Sequence, residues 1–93
     1  IVALIKPQFE AGRDKVGKKG LVKDKDIHME VINNVVEFCD TIGLKVIDLE
    51  FSPITGTTGN IEFLAHISKK ENKKVISIEE VRNIVNEAHE SLL

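Results

Sequence analysis

Ile61-Glu62-Phe63-Leu64-Ala65-His66-Ile67-Ser68 alternates, with Ile61, Phe63, Ala65 and Ile67 on one side and Glu62, Leu64 and His66 on the other. A period of two marks a strand with unlike faces. Leu44 to Ser52 does the same, setting Ile47, Leu49 and Phe51 against Asp48 and Glu50, and reads as a strand near a sheet edge. Ser52-Pro53 closes it, and Ile54-Thr55-Gly56-Thr57-Thr58-Gly59-Asn60 has the composition of a turn-rich connection. The two strands are therefore expected to pair antiparallel.

Upstream, Val31, Ile32, Val35, Val36, Cys39 and Ile42 recur at helical spacing and predict a helix over about 28–42, with Asp26 as N-cap and Gly43 as its stop. Residues 1–6 form a continuous apolar run ended by Pro7, which suits a central strand buried on both faces. Between them, Gln8 to Asp26 has no periodicity and reads as one long loop. Downstream, Ser77-Ile78-Glu79-Glu80 matches a capping box, with Ile76 and Val81 spaced for a hydrophobic staple, and a final helix runs to about Leu92. Lys69-Lys70-Glu71-Asn72-Lys73-Lys74 before it reads as a solvated turn.

Strand, helix, strand, strand, helix implies an α/β unit whose first two strands are parallel across a helical crossover and whose third runs back. Ligands in such sheets gather beyond the C-terminal ends of parallel strands. Lys6 ends the first strand and Glu62 begins the returning one. If these strands are neighbours, one rim holds both.

The 93 residues are 42% apolar and 30% charged with a net charge of −2, the profile of one globular unit rather than a collagen-like or disulfide-rich chain. Ile1 to Ile5 is the longest apolar run, far short of the roughly 20 residues that cross a bilayer. No membrane association is expected, since Glu79, Glu80, Glu87 and Glu90 outnumber Arg82 on the last helix. Cys39 is the single cysteine and reads as a small buried hydrophobe, fitting a reducing cytoplasm. Ile1-Val2-Ala3-Leu4-Ile5 begins without Met as a strand already under way. A fragment is expected, with the open edge of that strand recruiting a second copy as a homodimer.

Arg13, Lys15, Lys18, Lys19, Lys23 and Lys25 against Asp14 and Asp24 give one segment a net charge of +4. Phosphate contacts with RNA would suit it, as would simple solvation. No aromatic residue interleaves with these charges, which argues against base stacking. His28, His66 and His89 lie on different elements without ligands at metal spacing, so no metal site is expected, and His28 reads as an aid to helix initiation.

Leu4-Ile5-Lys6-Pro7-Gln8-Phe9-Glu10, Gly12-Arg13, Val16-Gly17-Lys18, a His28 opening a helix, Ser52-Pro53-Ile54 and Gly59-Asn60-Ile61-Glu62-Phe63-Leu64 together resemble the hemolysin-A-type family of ribosomal RNA 2′-O-methyltransferases. The likeness runs from Ile1 to about Ile67. It implies an S-adenosylmethionine-dependent enzyme acting on ribosomal RNA, with an S4-like RNA-binding domain and a Rossmann-like catalytic domain. This chain would be the C-terminal portion of that catalytic domain. The family's Lys-Asp-Lys-Glu tetrad places its last two members on Lys6, which would activate the ribose hydroxyl, and Glu62, which would hold lysine and hydroxyl in line. Arg13, Lys15, Lys18 and Lys19 would contact RNA. No GxGxxG-like spacing occurs, so the cofactor would be held mainly by residues outside the chain, leaving the fragment alone inactive. The alternative is a noncatalytic RNA-binding or interaction module that keeps the fold.

Overall fold

The computed structural model describes residues 1–10, 22–55, 59–70 and 72–93. Their elements follow as β1 (Val2–Ile5), α1 (Pro7–Glu10), α2 (Lys25–Thr41), β2 (Lys45–Phe51), β3 (Phe63–Ser68) and α3 (Ile78–Leu92). β3 lies between β1 and β2 and is antiparallel to both. The outer strands thus run parallel to each other, as the order of elements requires. Phe63 partners Ile5 on one side and Phe51 on the other, so β1 and β2 end, and β3 begins, at a common rim.

Local chemistry explains the helix ends. Asp24, rather than Asp26, is the N-cap of α2: its carboxylate accepts the Asp26 N–H at 2.8 Å, and the helix starts at Lys25 instead of near residue 28. Either aspartate could cap, and the earlier one gains the extra turn. Gly43 stops the helix at φ +81°, where a side chain would be strained, while Leu44 N–H returns to the Cys39 carbonyl at 2.9 Å. At α3 both halves of the Ser77–Glu80 capping box are formed.

α2 and α3 pack against each other over one face of the sheet. Ile32, Phe63, Ala65, Val85 and Ala88 are wholly buried between these layers, and Ile76 and Val81 join the same core. In β2 a bulge between Val46 and Asp48 shifts the parity, so Val46 enters the core in place of Ile47.

Two expectations need correction. β1 is not buried on both faces: Ile5 is in the core, but Val2 and Leu4 are 58% and 48% exposed. They share with Leu64 and His66 the face of the sheet opposite Ile5 and Phe63. Nor is Gln8 to Asp26 one loop. Pro7–Glu10 forms a helical turn and Lys25 already belongs to α2, while 11–21 lie outside the described residues. Pro7 fixes φ at the first helical position, where its missing N–H costs nothing. No helix among the described residues is long and apolar enough to cross a membrane.

Candidate functional site

Lys6 stands between the last residue of β1 and the first of α1. Its backbone is held from both directions: the Phe9 N–H donates to the Lys6 carbonyl at 3.0 Å, and the Lys6 N–H donates to Glu10 Oε2 at 3.0 Å. This is a reciprocal cap around buried Pro7, and it fixes where the lysine side chain departs. Lys6 Nζ lies 5.8 Å from the Phe9 ring centroid, at the outer limit of a cation–π contact.

Glu62 immediately precedes β3, and its carbonyl accepts the Ser52 N–H at 2.9 Å, which ties it to the end of β2. Lys6 and Glu62 therefore flank the paired residues Ile5 and Phe63 at one rim, each half-buried. Burial alternates from Ile61 to Ala65 and leaves Glu62 on the less buried side with Leu64, as the parity predicts. Among the described residues, an ion pair joins Lys45 to Asp40 and a 2.9 Å hydrogen bond joins His66 to Glu50, and no ion pair joins Lys6 to Glu62. The carboxylate is tied instead to Gln8, whose Nε2–H donates to Glu62 Oε2 at 3.1 Å.

Nothing local in the sequence marks Gln8, an uncharged amide whose partner lies 54 residues away. The reversed amide would set its carbonyl oxygen against the carboxylate, so the contact fixes which end points to Glu62. Gln8 Oε1 is enclosed without a hydrogen-bond partner. A buried acceptor left unmet costs about 1–3 kcal/mol, and folds retain few of them.

The FtsJ-like methyltransferase family matches residues 1–69. The chain belongs to that family. It is 45% identical over 98% of its length to the Bacillus subtilis protein named "Putative rRNA methyltransferase YqxC", of which it covers 34%. It is 28% identical over 95% of its length to the 16S/23S rRNA (cytidine-2′-O)-methyltransferase TlyA of Mycobacterium tuberculosis, covering 32% of that protein. Among solved structures, the "Putative hemolysin from Streptococcus thermophilus" superposes with a TM-score of 0.87 at 43% identity, over 97% of this chain and 32% of the other. The chain thus spans about a third of the length of these relatives.

Within this FtsJ-like methyltransferase chain a second polar network lies beneath the rim. Asn60, buried two residues before Glu62, accepts the Val22 N–H through Oδ1 at 2.8 Å. The Val22 carbonyl lies 2.8 Å from His28 Nε2. A carbonyl can only accept, so His28 carries its proton on Nε2. Its Nδ1 is then the acceptor in the 2.8 Å contact with His89 Nε2, and His89 donates. The His28 ring is fully buried and meets Phe63 edge-on, with ring centroids 5.7 Å apart. His28 was expected only to help the helix start; its ring instead ties Val22, and through it Asn60, to α3.

Burial lowers the His28 pKa below 6.5, with the Val22 hydrogen bond and the Asp24 charge opposing. His89 is lowered from 6.5 first by burial, then by the positive charge that His28 and Lys25 would place beside it, against Asp24. Both histidines are thus held toward the neutral forms that the hydrogen bonds require.

Arg13, Lys15, Lys18 and Lys19 lie outside the described residues; Lys23 and Lys25 are exposed at the start of α2. Among the described residues no cluster of three or more His, Cys, Asp or Glu is arranged to hold a metal. A groove of about 370 Å³ lies between α1 and α2, lined by Glu10, Val31, Asn34, Val35 and Phe38. It has none of the rim residues Lys6, Gln8 or Glu62, and few convergent polar groups of the kind that orient a ligand.

Proposed function

We propose that this chain supplies the hydroxyl-activating part of an S-adenosylmethionine-dependent ribosomal RNA ribose 2′-O-methyltransferase, as the C-terminal portion of a longer catalytic domain. The supporting observation is the rim itself: Lys6 and Glu62 flank one rung of the β1–β3 pair, and the Lys6 turn reaches the Glu62 carboxylate through Gln8. Family membership and the names of the relatives point the same way.

A ribose hydroxyl is a poor nucleophile at neutral pH, and a positioned base contributes typically 10²–10⁴-fold. In this reading Lys6 Nζ, as the neutral amine, takes the hydroxyl proton. Glu62 accepts hydrogen bonds from the lysine and the hydroxyl and balances the positive charge that Lys6 acquires. S-adenosylmethionine supplies an electrophilic methyl group when bound. The residues here offer no glycine-rich strand-to-helix turn to cradle it, so the base side of the reaction is what they carry. The segment with Arg13, Lys15, Lys18 and Lys19 supports RNA as the substrate by its charge.

The test is methyl transfer to ribosomal subunits by the full-length protein that carries these residues, with and without Lys6→Ala. A loss of about 10²–10⁴-fold is expected. Undiminished transfer in the variant would remove Lys6 from the chemistry and leave this portion of the protein a noncatalytic role.

A further inference from the structure

We propose that Gln8 is a positioning residue of the methyl-transfer site, holding one oxygen of Glu62 so that the other serves Lys6 and the ribose hydroxyl; this rests on the roles given to Lys6 and Glu62 above. The contact joins residues 54 apart in sequence, with the Gln8 amide donating to Glu62 Oε2 at 3.1 Å. Lys6 and Gln8 leave the same helical turn, whose backbone is clamped by the Phe9–Lys6 and Lys6–Glu10 hydrogen bonds. Fixing the carboxylate to Gln8 therefore also fixes it relative to the backbone from which the lysine departs.

The chemistry of the partner matters. An arginine or lysine here would neutralise Glu62 and compete with Lys6 for its charge, whereas an amide orients the carboxylate and leaves that charge available. The other end of the amide supports the same role. Gln8 Oε1 is enclosed and unpartnered, so the side chain is kept in place by its hold on Glu62 rather than by a fully satisfied polar packing. Hydrogen-bond partners that orient metal-ligating side chains are typically worth about 10–100-fold, and an orienting partner of a catalytic carboxylate is taken on the same scale.

The experiment uses the full-length protein with Gln8→Met, which keeps the length of the side chain and removes the donor, and Gln8→Glu, which sets a second acceptor against Glu62. Both are expected to lower kcat about 10- to 100-fold, with KM for RNA changed less than about two-fold in Gln8→Met and its thermal midpoint close to that of the parent. Gln8→Asn, too short to reach, should behave as Gln8→Met does and covers the case in which that variant misfolds. Wild-type kcat in Gln8→Met beside an inactive Glu62→Ala overturns the inference alone. Full activity in Glu62→Ala overturns the reading beneath it, and the inference with it.

Discussion

His28 and His89, 61 residues apart in sequence, share a 2.8 Å hydrogen bond in which His89 is the donor, because the proton of His28 is committed to the Val22 carbonyl. A proton added to His28 would have to sit on Nδ1, directly facing the His89 N–H. Burial lowers both pKa values from 6.5, with Asp24 opposing and Lys25 adding to the effect at His89. The unfolded chain therefore binds more protons than the native one as the pH falls below about 6.5. Stability from this pair is fully present above that value and is lost as pH falls through the lowered native values. Urea denaturation across pH 5 to 8 should show this, and His28→Gln, which keeps a donor without titrating, should flatten it. Equal steepness in parent and variant would refute the assignment.

Asn60 makes a prediction about Val22. Its Oδ1 accepts the Val22 N–H at 2.8 Å in a buried setting. Asn60→Ala leaves that donor unmet and should cost about 1–3 kcal/mol. Amide hydrogen exchange is the sharper measurement, because protection at Val22 should collapse while that of Ala65, deep in the central strand, follows global stability. Retained protection at Val22 in the variant would show that another group holds it.

What the sequence discloses depends on how local each cause is. Alternation from Ile61 to Ile67 is a local signal, and the rim shared by Lys6 and Glu62 followed from it once the returning strand was set beside β1. The bulge at Ile47 was hidden because an apolar residue on either side keeps the pattern plausible; only pairing with Ile67 and His66 shows that Val46 takes the core position. Pro7–Glu10 is too short to display a helical period. His28 and Gln8 depended on distant partners, His89 and Glu62, and no spacing along the chain announces such meetings.

The capping box offers a test of local energetics. Ser77 Oγ accepts the Glu80 N–H at 3.1 Å, and the Ser77 N–H returns to Glu80 Oε1 at 3.3 Å. Ser77→Ala should cost about 1 kcal/mol. In a domain of this size that corresponds to a fall of about 4–8 °C in Tm. Because α3 carries His89, the same variant should also weaken the protection of Val22 slightly. A Tm unchanged within 1 °C of error, roughly a quarter of that smallest shift, would mean that packing of Val81 and Val85 alone sets the start of the helix.

The homodimer expected from the sequence can be tested at the edge of β1 away from β3. Among the described residues β1 pairs on one side with β3, and Val2 and Leu4 stand 58% and 48% exposed on the face opposite the helices. A second copy could continue the sheet through this edge and set its own side chains beside Val2 and Leu4. Burying a leucine or valine fully contributes about 1.5–3 kcal/mol each, against about 4–15 kcal/mol of lost freedom on association. Two side chains, about 3–6 kcal/mol together, do not exceed that cost on their own, so a dimer through four residues of strand would form only at high concentration. Light scattering coupled to sizing should show the apparent mass increasing over a dilution series, and Leu4→Lys should hold the chain monomeric by placing a charge on the shared face. A constant monomer mass at every concentration, with and without the substitution, would mean that this edge does not pair with itself.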